Sequence, residues 1–503
     1  MTSKDHHKLF GRTVRGLSWQ SASVFIHGLM QLAVMGILAR FLTPHDFGLA
    51  AIINVIVLVC TNALQMGLGP AIVQRPNLSS ADMGFVFFLS LSTGGLACLL
   101  LTLLAAALAG LYGWPELRPM IPVAGGVVFL NNLALVSQAR LQKAMNFRVL
   151  SLVDLGAFGL GAAATIALAI AGAGAWALVL GLLLRFGAKS LACLLAMPPV
   201  VRFRLREAEC GALLRFGGAQ TWSQVMNQVA QQADYLIVGR FLGASLLGFY
   251  ERAFTLMSLI SQYFGSVLDS VMFPAMAQIQ GRTRSLGVGY LAALSTLNSV
   301  LLPVSVLGIV LASEITRVFM GPQWTEVIPP FRILLIPLAL RTTVRCGDSL
   351  ARATGRVAQN SLVKSAYAVL VVVLALLFVR RGIVGVAVGV SLATAIHYLM
   401  MLILVRSAIG LSCGAQIRAH GAGLLFGGVV LVVSLAARQA LYGLHAPAWV
   451  VLAACSGLAA LAPGLIVLAY PKCLGPSSLW LVGKLLARKD PNHWLVRRMT
   501  LAA

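Results

Sequence analysis

A helix that presents an amide or an acid at each turn along one side can hold a solute by hydrogen bonds, and residues 220–234 have that pattern. Gln220, Gln224, Asn227, Gln231 and Asp234 follow at spacings of 4, 3, 4 and 3, which aligns five polar side chains on one face. Gln228 and Gln232 widen that face. Gln20, His27 and Gln31 stand 200 residues before Gln220, Asn227 and Gln231, so a shorter version of the stripe opens the chain. A single amide in an apolar helix serves packing, through one interhelical hydrogen bond worth about 1 kcal/mol. A stripe this long exceeds that need and suits a polyhydroxylated ligand such as a sugar.

Charges within apolar runs cost about 2.5 to 3.5 kcal/mol each to insert and are retained for a ligand or a partner. Those here are Asp154, Arg185, Lys189, Asp234, Glu251, Arg252, Asp269, Arg332, Arg341, Arg345 and Asp348. Asp154, Asp234 and Asp269 are the acids expected to take up a coupling ion. Arg252 stands apart because the 200-residue offset pairs Glu251 and Arg252 with Ala51 and Ile52, and Asp234 with Val34. One scaffold is thus built twice, once without these charges, which assigns them to a ligand or ion. A guanidinium fork can hold two oxygens of a diphosphate at once, as an ammonium cannot. Plainer readings stand beside these: Arg185 and Lys189 snorkel to the cytoplasmic face, Arg341 to Asp348 lie near a helix end, and Glu251 and Arg252 neutralise each other.

Catalytic patterns are missing. There is no HExxH or GxSxG, and Gly181 to Lys189 has the wrong glycine spacing for a phosphate loop. Asp46 in the first predicted outer loop is a lone catalytic candidate. The eight cysteines include no CxxC and no metal-ligand spacing with histidine, so no metal and no cofactor are expected.

These side chains must be carried by membrane helices. Of 503 residues 59% are hydrophobic and 10% charged, at a mean hydropathy of +0.90, which excludes a soluble globular protein. A net charge of +24 would suit nucleic acid if it formed a stripe, but the cations sit in short clusters between apolar runs, and no nucleic-acid partner is expected. Windows of about 20 apolar residues begin near 16, 47, 83, 119, 149, 175, 216, 246, 287, 328, 361, 383, 419 and 446, predicting about fourteen transmembrane helices. With the N-terminus in the cytoplasm, inner segments gather about 25 Lys and Arg against about 7 outside. Both termini are therefore expected in the cytoplasm, and only the Arg380, Arg381 pair runs against the rule. Outer loops are short, the longest being Ser313 to Val327, and leave no folded domain outside.

An internal repeat organises the spans. Arg40-Phe41-Leu42 with Gly48 recurs as Arg240-Phe241-Leu242 with Gly248, and Pro70-Ala71-Ile72-Val73-Gln74 as Pro274-Ala275-Met276-Ala277-Gln278. Six spans separate the copies, so both enter the membrane from the same side, as parallel repeats do when two bundles rock about a central site. The expected architecture is all-α: a six-helix lobe over 1–198, a basic cytoplasmic linker over 199–215, a second lobe over 216–405, two further helices over 406–470 and a basic tail over 471–503.

Leu38-Ala39-Arg40-Phe41-Leu42-Thr43-Pro44 with Asp46-Phe47-Gly48-Leu49, Ala233-Asp234-Tyr235-Leu236-Ile237-Val238-Gly239-Arg240-Phe241-Leu242-Gly243 and Gly248-Phe249-Tyr250-Glu251-Arg252-Ala253 resemble the polysaccharide transporter branch of the multidrug/oligosaccharidyl-lipid/polysaccharide exporter superfamily. Phe273-Pro274-Ala275 and Gly321-Pro322-Gln323-Trp324 extend the likeness, which is strongest from about 12 to 375. It implies a flippase of the bacterial inner membrane that moves an undecaprenyl-diphosphate-linked oligosaccharide between leaflets. Membrane lipids are implied partners, and a polysaccharide polymerase and a chain-length regulator are further candidates. Related flippases hold the diphosphate in a cationic cavity. Here the first span carries His27 rather than an arginine matching those of the lipid II flippases, which leaves the anion to other candidates. A drug/cation antiporter of the same superfamily is the nearest alternative, though it would need more acids. A membrane glycan polymerase or ligase would need larger outer loops.

Overall fold

The computed structural model describes residues 23–65, 68–74, 79–199, 226, 228, 230–278 and 283–469, and its regular structure is helical throughout. The first seven helices are α1 (Ser23–Phe41), α2 (Pro44–Leu64), α3 (Leu68–Gln74), α4 (Ser80–Tyr112), α5 (Leu117–Lys143), α6 (Phe147–Ile170) and α7 (Ala175–Ala196). Then come α8 (230–242), α9 (Ala244–Gln278), α10 (Thr283–Val310), α11 (Ala312–Phe319), α12 (Ile328–Leu335) and α13 (Leu338–Ala353). The chain continues through α14 (Val357–Phe378), α15 (Gly382–Ile409), α16 (Cys413–Arg418), α17 (Gly421–Gly443) and α18 (Ala448–Ala469). Among the described residues, ten helical stretches are long and apolar enough to cross a membrane, or eleven if the bent pair α12 and α13 counts as one span.

Local chemistry fixes the helix limits. Starts at Pro44, Ser80, Leu117, Phe147 and Ala175 lie within three residues of the windows expected near 47, 83, 119, 149 and 175. Thr43 and Ser79 close capping boxes with Asp46 and Asp82, satisfying backbone N–H groups that a helix start leaves open. Asp46, the acid of the first outer loop, is used in this way: it accepts from Thr43 N–H at 2.9 Å. The span expected near 328 is two helices bent by 45°. The break falls at Pro337, which has no N–H to continue the ladder. At the Arg380, Arg381 pair a 3-10 turn over Val379–Arg381 separates α14 from α15.

The chain divides into two compact units, Met1–Glu251 and Arg252–Ala503. In the first, α4 packs along α5 and α6 along α7, with small residues at the crossings. Gly125 leaves room for the backbone of Cys98, and Gly94 for Asn132. Small residues let helix backbones approach where apolar burial gives no drive in lipid. The same unit contains a reciprocal contact. Gly48 of α2 lies against the carbonyl of Ala244, and Gly248 of α9 against the carbonyl of Pro44. Pro44 and Ala244, like Gly48 and Gly248, are 200 residues apart, so the sequence repeat reappears as a two-fold-like crossing of α2 and α9.

In the second unit α17 packs on α10, and α15 on α13 and α14. An ion-pair clamp ties α17 to α11. Glu314, with no exposed side-chain surface, accepts from Arg438 Nε at 2.7 Å, from Tyr442 Oη at 2.6 Å and from Ser313 Oγ at 2.8 Å. Burial pushes the Glu314 carboxyl upward, but the hydrogen bonds from Tyr442, Arg438 and Ser313 outweigh it and hold its pKa below the ordinary value. A depressed folded-state pKa contributes stability that is present above the unfolded carboxylate range and lost as pH falls through the folded value. Arg438 keeps 28% of its side chain exposed, so Glu314→Gln should cost about 3 kcal/mol, the lower end for a broken buried pair. Thermal unfolding of the detergent-solubilised chain reads this. The gap between wild type and variant should be full near neutral pH and shrink on acidification, and a gap independent of pH would refute the clamp.

Candidate functional site

Three helices of the first unit, α1, α6 and α7, assemble a polar cluster. On α6, Asp154, Phe158 and Gly161 are spaced 4 and 3 apart, and on α7, Gly181, Arg185 and Lys189 are spaced 4 and 4, which puts each set on one face. The two faces meet closely. Gly161 lies against the Arg185 Cβ and the Gly181 carbonyl, and Gly181 against Thr165 Oγ1. Any larger residue at 161 or 181 would part the helices.

This packing holds Arg185 inside. Its guanidinium stacks over the Phe158 ring at 4.9 Å, and its Nη2 lies 3.4 Å from His27 Nε2 on α1. The His27 ring packs on the same phenylalanine, with centroids 4.3 Å apart. A phenyl face attracts a guanidinium through its quadrupole, so Phe158 is the platform on which both polar groups rest. One turn along each helix, Lys189 Nζ pairs with Asp154 Oδ1 at 2.9 Å. The snorkelling expected of Arg185 and Lys189 is replaced by partners within the unit. With Asp154 used by Lys189, no carboxylate among the described residues lies within ion-pair distance of Arg185. The cluster therefore carries two fixed cations and one acid, a net positive charge beside a histidine.

The other expected residues are placed as follows. Gln20, Gln220, Gln224 and Asn227 lie outside the described residues. Gln31 is half-buried on α1, and Gln231 is exposed on α8. Gln228 accepts a hydrogen bond from Asn62 Nδ2 at 3.4 Å, an interhelical link of the packing kind. Asp234 is 1% exposed. It accepts from Tyr250 Oη at 2.8 Å and from the Tyr235 N–H at 3.0 Å, so hydroxyl and backbone donors address both of its oxygens. Arg252 is half-buried on α9. Asp269 falls on α9, with its side chain outside the described set. Among the described residues, the expected His27 and Asp154 come together through Arg185 and Lys189, and the helical spacings on α6 and α7 were the signal for this cluster.

Comparison with known proteins places the chain. The profile of the family described as polysaccharide biosynthesis protein matches residues 37–329, more than half of the sequence. The chain belongs to that family. Lipopolysaccharide biosynthesis protein WzxC of Escherichia coli is 25% identical over 69% of this chain and 71% of its own length. Teichuronic acid biosynthesis protein TuaB of Bacillus subtilis is 24% identical over 68% and 71%. Succinoglycan biosynthesis transport protein ExoT of Rhizobium meliloti is 26% identical over 65% and 66%. Among solved structures, the lipid II flippase MurJ in an inward closed conformation aligns at a TM-score of 0.68 and 13% identity, over 82% of this chain and 92% of that one. An inward-facing multidrug resistance MATE transporter aligns at 0.63 and 17% identity, over 77% and 96%. At such identities the likeness is one of fold. The chain is a multi-span, all-helical membrane protein of the polysaccharide biosynthesis family, with the fold shared by these transporters.

Proposed function

We propose that the chain is a flippase carrying an undecaprenyl-diphosphate-linked oligosaccharide from the cytoplasmic to the periplasmic leaflet of the bacterial inner membrane. In this reading fourteen helices cross the bilayer, with both termini in the cytoplasm. Two six-helix repeats, 1–198 and 216–405, alternate access to a common site, and 406–470 adds two helices. The observation that carries it is the guanidinium of Arg185, held within the first unit by Phe158 and His27 and without a carboxylate partner among the described residues. A desolvated cation with open donors attracts a phosphate oxygen pair strongly. The amides of the stripe at 220–231 then take sugar hydroxyls, and Arg252 remains a second candidate for the diphosphate.

The antiporter reading needs acids open to a cation, whereas Asp154 holds Lys189 and Asp234 holds Tyr250. The relatives named for lipopolysaccharide, teichuronic acid and succinoglycan biosynthesis favour a glycan cargo. Reconstitution decides between them. Liposomes carrying the full chain and a fluorescent polyprenyl-diphosphate oligosaccharide should show the protected inner-leaflet label becoming accessible to an external glycosidase. Label that stays protected while a cationic dye is exchanged for protons would reverse the assignment.

A further inference from the structure

We infer that the C-terminal unit contains a proton-binding site formed by His397, Asp348 and Lys364 on the adjoining helices α15, α13 and α14. Lys364 Nζ lies 3.4 Å from Asp348 Oδ2, while the other carboxylate oxygen, Oδ1, is buried without a hydrogen-bond partner. His397 is 7% exposed, and its Nε2 is also buried without a partner. Its ring lies flat on Tyr367, with centroids 4.3 Å apart and planes at 15°. Asn360 Oδ1 on α14 is a third open acceptor. Buried polar atoms are seldom left open, because each costs about 1 to 3 kcal/mol. Three on two adjoining helices and the helix they pack against point to a site completed in another state.

A proton is the occupant that the side chains fit. Among the described residues no three His, Cys, Asp or Glu side chains gather as metal ligands, and the Lys364 ammonium already occupies one face of the carboxylate. Whichever ring nitrogen carries the hydrogen of neutral His397, protonation makes Nε2 a donor. Asp348 Oδ1 is the open anionic acceptor on a packed helix. An imidazolium drawn to Asp348 competes with Lys364 for that carboxylate, so proton uptake favours an arrangement in which α14, which carries Lys364, is less tightly held to α13.

The charged groups near enough to act on His397 are Asp348, Lys364 and Arg341. Arg341 is itself stacked over Phe254 at 4.8 Å. Among the described residues, the other elements packed on α15 offer no competing acid. Arg332 of α12 lies level with Ser391, whose hydroxyl donates to the Ile333 carbonyl, about 9 Å up the helix from His397. Tyr290 of α10 donates to Gln416, and Arg345 of α13 lies against Gly265.

That the proton drives transport rests on the flippase reading; that it binds does not, and the test is therefore made on the full chain in lipid nanodiscs without cargo. Ring NMR of isotope-labelled histidine should show His397 taking up a proton as pH is lowered, its signal identified by its loss in His397→Gln. Amide exchange in α14, taken relative to the intrinsic rate at each pH, should rise about tenfold as His397 takes up its proton, the effect of one pKa unit of linkage. In His397→Gln and in Asp348→Asn this relative exchange should no longer follow pH. Lys364→Met removes the competitor and should move the midpoint upward, which tests the site even if His397→Gln fails to fold. Wild-type pH dependence in His397→Gln, or an unmoved midpoint in Lys364→Met, overturns the assignment. A chain that titrates as stated but moves no lipid-linked sugar keeps the site and loses the flippase reading, and the converse loses only the site.

Discussion

Replacing Arg185 with alanine is expected to reduce surface polysaccharide about a hundredfold while the protein stays at its normal level in the membrane. Charge-assisted hydrogen bonds to a buried partner are worth about 1.5 to 3 kcal/mol each, and a bidentate diphosphate contact makes two, so about two to four orders of magnitude is the scale of the loss and a hundredfold its lower end. The lipid-linked precursor should accumulate on the cytoplasmic leaflet, where an impermeant glycosidase added to inverted vesicles can read it. Arg185→Lys should recover little, because an ammonium cannot fork across two oxygens or stack flat on Phe158. Asp154→Asn is the contrasting change. It releases Lys189 and adds cationic character beside the site, so export should persist. Normal export by Arg185→Ala at normal protein level would move the anion to another group, with Arg252 the next variant to make.

The difference between Arg185 and the amide stripe at 220–234 shows what periodicity can and cannot carry. The spacing at 220–234 names a face on one helix, and helix starts such as Pro44, Ser80 and Ala175 follow from apolar windows and capping residues. Both are local facts. Arg185 was one of eleven charges in apolar runs, and it stood out from them only when three helices were seen together, because its environment is set by Gly161 on α6 and His27 on α1, and neither contact is written near residue 185. His397 is the same case. As one of eight histidines in the sequence it carried no signal, and its open nitrogen has meaning only beside Asp348 and Lys364. Asp234 shows another side of this: the sequence marks an acid in an apolar run, but not that the hydroxyl of Tyr250, sixteen residues later, addresses it. The bend at Pro337 was legible in principle, but a 20-residue hydropathy window averages over a single missing N–H.

The crossing of α2 and α9 gives the second large expectation. A methyl group at Gly48 would run into the Ala244 carbonyl, and one at Gly248 into the Pro44 carbonyl. Neither neighbour is a side-chain end that could turn away, so the backbones must separate. Overpacking of this kind costs about 1 to 3 kcal/mol, and a backbone obstacle places it at the upper end. Gly48→Ala and Gly248→Ala should therefore each lower the unfolding temperature of the solubilised chain, and by similar amounts, because the contact is reciprocal. Gly95→Ala supplies the baseline. It lies within α4 with nothing within 4 Å of an added Cβ, and should be neutral or gain about 0.5 to 1 kcal/mol from helix propensity. The double variant carries the sharper test. Once one methyl has parted the two helices, the second enters a gap already opened, so the combined cost should fall short of the sum by about 1 kcal/mol or more. Additive costs would mean that the two glycines relax independently, and the 200-residue repeat would then be a repeat of sequence without the shared crossing.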